Sequence, residues 1–163
     1  PELDEIHDLA WDARTPLLVA EAYAEWGDLI AAHRDKIYRP VADRIAAGEA
    51  LLAGDILKAN VRRADIVARY LARTAGFDAV AMPTVASTPP PIADLIDGGP
   101  AYADANRRAL RNTTIGNQLG LCALTLPVGK DAAGIPVGLM LQGAPNSENR
   151  LLRLGAAMEH ITG

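Results

Sequence analysis

The segment of residues 112–143 constrains the fold more than any other part of the chain. Glycine and proline punctuate it at short intervals, and two nearly continuous apolar runs lie between them, Cys122–Val128 and Val137–Gln142. Runs of this length, bounded by Gly and Pro, are typical of strands buried on both faces. The segment therefore predicts the end of a helix, a buried strand, a turn and a second buried strand.

Helical periodicity fills most of the remaining chain. It predicts helices over 16–33, from Pro40 to about Leu52, over 55–76, over Tyr102–Leu119 and from Glu148 to about Ile161. Pro16 suits a first helical turn. In the third helix we expect Asp55 as N-cap and Gly76 as C-cap. We expect that helix to face the core with one apolar stripe: Leu57, Val61, Ala64, Ala68, Leu71 and Ala75.

A third buried strand is predicted over Phe77–Pro83, between a glycine and a proline. The proline-rich run Thr84–Pro91 that follows excludes a helix or a central strand, so we expect an ordered loop there. Long loops that leave buried strands are more often functional than structural. Together the elements predict an α/β fold with a partial mixed β-sheet covered by helices, mainly helical over 1–53 and alternating helix and strand over 54–163.

Composition narrows the classes of partner. The 163 residues carry a net charge of −4, and half of them are apolar although only one is Phe. An acidic balance disfavours nucleic acid and an anionic membrane surface as partners, and no apolar run approaches the roughly 20 residues that span a bilayer. Cys122 is the only cysteine, which excludes an internal disulfide and favours a reducing compartment such as the cytoplasm.

Residues that usually carry chemistry are few. Zinc-type ligand clusters and phosphate-binding glycine motifs are absent from the sequence, so we expect neither metal nor cofactor. The serines are only Ser87 and Ser147, and neither lies in a glycine-rich elbow. Ser87, on the proline-rich loop, keeps open a role in direct chemistry. Cys122 opens a strand, where a free cysteine usually packs as a small apolar residue, so a Cys122 nucleophile is a weaker alternative that native-state thiol labelling tests.

Several segments together resemble the amidase signature family. The first is Phe77-Asp-Ala-Val-Ala-Met-Pro-Thr84 with the proline-rich loop behind it. The others are Gly116-Asn-x-x-Gly-x-x-Ala-x-x-x-Pro-x-Gly129, then Gly134-Ile-Pro-Val-Gly138, the closing helix and the element Arg44-Ile-x-x-Gly48. Their order and spacing resemble the family over nearly the whole chain. Cys122 stands where that family often has Pro, which leaves the branch open.

The resemblance implies an enzyme that hydrolyses amide C–N bonds through a Ser–cis-Ser–Lys triad and an acyl-enzyme. Backbone N–H groups of a glycine-rich loop would stabilise the oxyanion. In that family these groups lie N-terminal to the segments seen here, and this chain has no Gly-Ser-Ser-Gly-Gly-Ser segment. We therefore expect 1–163 to be a single C-terminal portion of an amidase signature domain, without a catalytic residue of its own and inactive alone.

The same resemblance implies four substrate-binding residues. Leu110 and Thr114 lie on the helix similar to one that lines the acyl side of the family's pocket, and Thr84 lies at the rim. Asn117 either lines the pocket or holds backbone groups at the helix end, which is the usual role of a buried Asn. The expected partners are a small-molecule amide in the complete enzyme, and either the missing N-terminal portion or a second copy of the chain.

One interpretation of another class stays open at this point, a non-catalytic binding or interaction module that reuses the amidase C-terminal fold. The chain begins at Pro1 without an initiator Met. An open reading frame that continues upstream of Pro1 into a Gly/Ser-rich segment favours the enzyme fragment, and a start codon at Pro1 favours the module.

Overall fold

The computed structural model describes the backbone of residues 3–162 and, apart from Thr15 and residues 160–162, their side chains. Five helices and three strands follow one another along this part of the chain. In order they are α1 (Asp4–Ala32), α2 (Arg39–Ala46), α3 (Ala53–Thr74), β1 (Val80–Pro83), α4 (Pro100–Leu119), β2 (Cys122–Lys130), β3 (Pro136–Gly143) and α5 (Glu148–Thr162). Short 3₁₀ turns cover Arg34–Lys36, Ala47–Ala50 and Ile92–Asp94.

Several predicted helix boundaries are wrong. The second helix ends at Ala46 and is followed by the 3₁₀ turn Ala47–Ala50, so it does not reach Leu52 as predicted. The first helix begins at Asp4, twelve residues earlier than predicted, so Pro16 lies inside it rather than in its first turn. The third helix begins at Ala53 with Leu52 at its N-cap position, and Ala75 rather than Gly76 is its C-cap. Neither N-cap residue makes a side-chain capping hydrogen bond. Local capping signals therefore do not set these two starts, which packing against neighbouring helices decides instead.

The three strands form one antiparallel sheet in the order β1-β3-β2. Met140 of β3 is paired with Met82 on one side and with Thr125 on the other. The β2–β3 ladder is interrupted by a bulge between Pro127 and Gly129, because Pro127 has no N–H to donate. The turn that follows is closed by Asp131, whose carboxylate accepts from the backbone N–H groups of Ala133 and Ile135 at 2.9 Å each.

Two apolar clusters hold the elements together. The first joins α1, α3 and α4 through Ile6, Ile66, Tyr70, Ile115 and Leu119 and neighbouring apolar residues. The second joins β2, β3 and α5 through Leu126, Leu141 and Leu151. Helix α5 covers one face of the sheet and α4 lies against the other, so the predicted α/β arrangement with helices on both faces of the sheet is confirmed.

The predicted inner face of α3 is wrong. Ala59, Ile66 and Tyr70 are its buried residues, whereas Leu57 and Val61 of the predicted stripe are 67% and 74% exposed. At 100° per residue, the two groups lie on opposite sides of the helix. Helix α3 is apolar on both sides, and α1 and α4 cover only the side that carries the larger Ile66 and Tyr70.

Candidate substrate-binding site

Helix α4 positions the candidate site, because it packs on the sheet with one face and lines a groove with another. Asn112 on the sheet face donates from Nδ2 to the carbonyl of Pro83 at 2.7 Å, which fixes the point where the proline-rich loop leaves β1. One turn later, Gly116 allows Gln142 of β3 to approach, since a Cβ at Gly116 would lie 3.1 Å from Gln142 Nε2.

Thr84 lies at this same end of β1. Its backbone N–H donates to the carbonyl of Gly138 at 2.9 Å, and its Oγ1 donates to Thr125 Oγ1 at 3.2 Å. The two hydroxyls meet across β3 because Gly138 has no side chain. A Cβ at Gly138 would lie 2.7 Å from Thr84 Oγ1 and 2.8 Å from Thr125 Cγ2. The Gly138 of the Gly-x-Pro-x-Gly motif therefore makes room for a pair of hydroxyls beside the loop.

Leu110 and Thr114 lie one turn apart on α4 and line a groove of about 340 Å³ between α1, α2 and α4. Thr114 is buried and Leu110 is 42% exposed. The groove is completed by Trp11, Arg14, Leu18, Val19 and Ala22 of α1, Arg44 and Ile45 of α2, and Asn106 and Arg107 of α4. The structure thus brings together two of the four predicted site residues.

The other two predicted residues do not line this groove. Thr84 is at the end of the sheet, beyond Asn112 on the opposite side of α4. The side chain of Asn117 is exposed, and its carbonyl accepts from the N–H of Gly120, which ends α4 with φ of +65°. Substrate contact by these four residues therefore stays a prediction. The sequence did not indicate that they lie at three places: Leu110 and Thr114 in the groove, Thr84 at the end of the sheet and Asn117 at the end of α4.

The α1 side of the groove was missed because the helix was predicted to begin at Pro16. Trp11, Arg14, Leu18 and Ala22 repeat every three or four residues, which is the spacing of one helix face. The Arg14 guanidinium lies over the Trp11 ring, 3.4 Å from its centroid, and donates to the Trp11 carbonyl. Extending the helical period across Pro16 would have found this wall.

A buried polar cluster lies behind α4, away from the groove. Tyr70 and Gln142 are each 2% exposed, and neither Tyr70 Oη nor Gln142 Oε1 has a hydrogen-bond partner among the described residues. Burial raises the pKa of Tyr70 to about 12. Burial also lowers the pKa of His7, whose ring is 5.9 Å from that of Tyr70, while the Asp4 and Asp8 carboxylates oppose this shift. The Tyr70 hydroxyl and the His7 imidazole are therefore uncharged at neutral pH.

Cys122 and Ser87, the two residues with an alternative predicted role in direct chemistry, do not line the groove. Cys122 begins β2, is half-buried and packs at the edge of the second apolar cluster. Ser87 lies on the proline-rich loop, beside the β2–β3 turn. Among the side chains that the structure describes within residues 3–162, no group of three His, Cys, Asp or Glu could hold a metal ion. No helix in the same range has the length and apolar character needed to cross a bilayer.

Comparison with known proteins agrees with this architecture. The amidase family model matches residues 7–152, so the chain belongs to the amidase family. The 2-amino-5-chloromuconic acid deaminase of Comamonas testosteroni is 36% identical over 168 residues, which cover 100% of this chain and 35% of the relative. A fatty acid amide hydrolase of Oryza sativa subsp. indica is 41% identical over 86 residues, which cover 52% of this chain and 14% of the relative. The chain thus spans about a third or less of these relatives.

Solved structures share the fold. A crystal structure of an amidase superposes with a TM-score of 0.79 at 24% identity, over 94% of this chain and 36% of that one. The allophanate hydrolase of Kluyveromyces lactis superposes with a TM-score of 0.86 at 22% identity, over 99% of this chain and 26% of that one. The predicted family and fold class are therefore confirmed.

Proposed function

We propose that this chain is the C-terminal part of an amide hydrolase and supplies the substrate-binding wall rather than the catalytic groups. The observation that carries the proposal is an alignment with the Comamonas deaminase along the whole chain that accounts for only 35% of that relative. The family match over residues 7–152 supports amide C–N hydrolysis as the reaction of the complete protein.

In this proposal the nucleophile is a serine of a Ser–cis-Ser–Lys triad contributed by a segment N-terminal to the wall. As the triad serine attacks the amide carbonyl, its proton passes through the bridging serine to the neutral lysine. The lysine returns this proton to the amine as the C–N bond breaks, and water then hydrolyses the acyl-enzyme. The present chain contributes position. The α1–α4 groove holds the acyl group through Leu110 and Thr114, and the Thr84–Thr125 hydroxyl pair forms a polar rim. An apolar wall of this kind also keeps water from the substrate until the acyl-enzyme forms.

A chimera tests the proposal. The 35% of the Comamonas deaminase that aligns with this chain is replaced by it, and ammonia release is measured for the chimera, for the parent and for the chain alone. We expect the chimera to retain deaminase activity and the chain alone to have none. A chimera that is inactive, although thermal melting shows that it is folded, would contradict the proposal. Turnover by the chain alone that is lost on Ser87→Ala would contradict it as well.

A further inference from the structure

The groove between α1, α2 and α4 is lined by positively charged side chains, although the chain as a whole is acidic. Three of its lining residues are arginines, Arg14, Arg44 and Arg107, and no Asp or Glu lines it. The whole chain carries a net charge of −4. Positive charge is therefore concentrated at this groove, although the molecule as a whole is negatively charged. The groove should bind an anionic group more readily than a neutral or cationic one.

The arginines keep donors available for such a group. Arg107 shares the carboxylate of Asp104 with Arg108, so two guanidiniums face a single negative charge. Arg44 makes no ion pair among the described residues, and the Arg14 guanidinium lies over the Trp11 ring. Burial lowers the pKa of Arg14, the Asp12 carboxylate opposes this shift, and the like charge of Arg107 adds a smaller lowering through repulsion. An anion placed between Arg14 and Arg107 would relieve this repulsion.

Apart from the three arginines, Asn106 and Thr114, the lining of the groove is apolar. Between the arginines the groove is walled mainly by Trp11, Leu18, Val19, Ala22, Ile45 and Leu110. A volume of about 340 Å³ lies in the range of small-molecule sites and suits a molecule of modest size. A small inorganic anion would leave most of this apolar surface in contact with water, whereas an apolar chain or ring that ends in an anionic group covers both parts of the groove.

We infer that the groove binds the acyl part of an amide substrate that carries a carboxylate as well as an apolar chain or ring. A planar carboxylate matches the paired N–H donors of one guanidinium, and Arg44 and Arg107 both line the groove. The inference rests on the proposed function, because the ligand is a substrate only if the complete protein hydrolyses amides. It assigns to Arg14, Arg44 and Arg107 the selection of acidic amides over neutral ones.

Binding to the 163-residue chain tests the inference without any catalysis. Hexanoate, hexanamide and hexyl phosphate are titrated separately into the isotope-labelled chain, and dissociation constants are taken from backbone amide NMR shifts. We expect hexanoate to bind at the groove at least tenfold more tightly than hexanamide and to weaken as salt is raised. Arg107→Gln, at an exposed position, should weaken hexanoate about tenfold and leave hexanamide unchanged.

Arg62→Gln is the matched control, because Arg62 is exposed on α3 and does not line the groove. It should leave both dissociation constants unchanged, and thermal melting of each variant checks that the fold is retained. Equal binding of hexanoate and hexanamide, no binding of either, or no effect of Arg107→Gln would overturn the inference. Tighter binding of hexyl phosphate would overturn the assignment to carboxylates. An inactive but folded chimera combined with selective hexanoate binding would refute the proposed function alone.

Discussion

Gly48 marks the closest approach between α1 and the 3₁₀ turn that follows α2. A Cβ at this position would lie 2.3 Å from Tyr23 Cβ and 2.7 Å from the backbone carbonyl of Val19. Because backbone atoms cannot move aside as a side-chain end can, we expect Gly48→Ala to lower the free energy of unfolding by about 2–3 kcal/mol. Urea unfolding measures the change. The control is Gly54→Ala in α3, where nothing lies within 4 Å and Ala should be neutral or slightly stabilising.

Tyr70 should make the fold sensitive to alkaline pH. Its pKa in the fold is about 12, against about 10 for an unfolded tyrosine. Since the raised pKa belongs to the folded state, the stabilising contribution is complete below pH of about 10 and is lost as the pH rises towards about 12. The loss amounts to about 3 kcal/mol in total, at 1.36 kcal/mol per pKa unit. Between pH 9 and pH 11, urea unfolding should show about half of this decline in the wild type and much less of it in Tyr70→Phe.

At pH 7 the Tyr70→Phe change tests whether the buried Tyr70 hydroxyl makes a stabilising hydrogen bond. Tyr70 Oη is buried without a partner among the described residues, so its removal should change the free energy of unfolding by less than about 1 kcal/mol. A loss of more than about 2 kcal/mol at pH 7 would contradict this expectation, because it would mean that the hydroxyl has a strong hydrogen bond in solution.

At the scale of elements, the sequence predicts best where a strong local signal marks the boundary. Gly120 after α4 and the Gly-Pro pattern around β2 and β3 place these elements within one or two residues. The α1 start and the inner face of α3 could not be predicted in the same way. Both depend on which neighbour covers a helix face, and a periodic apolar pattern identifies a face without identifying its partner. The groove was only half predicted because the helical period of α1 was not extended across Pro16 to Trp11 and Arg14.

Pro16 is the element-scale feature that contradicts a local rule. A proline inside a helix removes one backbone hydrogen bond and its ring crowds the preceding turn, yet α1 runs through it from Asp4 to Ala32. We expect Pro16→Ala to raise the free energy of unfolding by about 1–3 kcal/mol. Pro100→Ala, in the first turn of α4, is the matched control and should have little effect. A stability loss in Pro16→Ala would instead indicate that a bend at Pro16 is needed for packing.

At the scale of the whole molecule, apolar surface remains uncovered within the described residues. Leu57 and Val61 project from the outer face of α3, and Leu52 at its N-cap position is 69% exposed. The sheet has β1 and β2 as its edges, and the outer side of β2 is free to pair up to the bulge at Pro127. Uncovered apolar patches and strand edges are the usual sites of association.

The isolated chain should therefore associate with itself, with the outer face of α3 as the main contact. Burial of two large aliphatic side chains contributes about 3 kcal/mol or more per protomer, which is enough to populate dimers at micromolar concentration when other contacts add to it. The double variant Leu57→Gln and Val61→Gln should weaken association at least tenfold in sedimentation velocity and reduce binding of a hydrophobic dye. Arg62→Gln, on the same helix but off this face, controls for the added glutamine. A wild-type chain that sediments as a monomer and binds no dye would contradict the prediction. If only substitutions at the β2 edge weaken association, the contact lies at the sheet edge and the assignment to α3 is wrong.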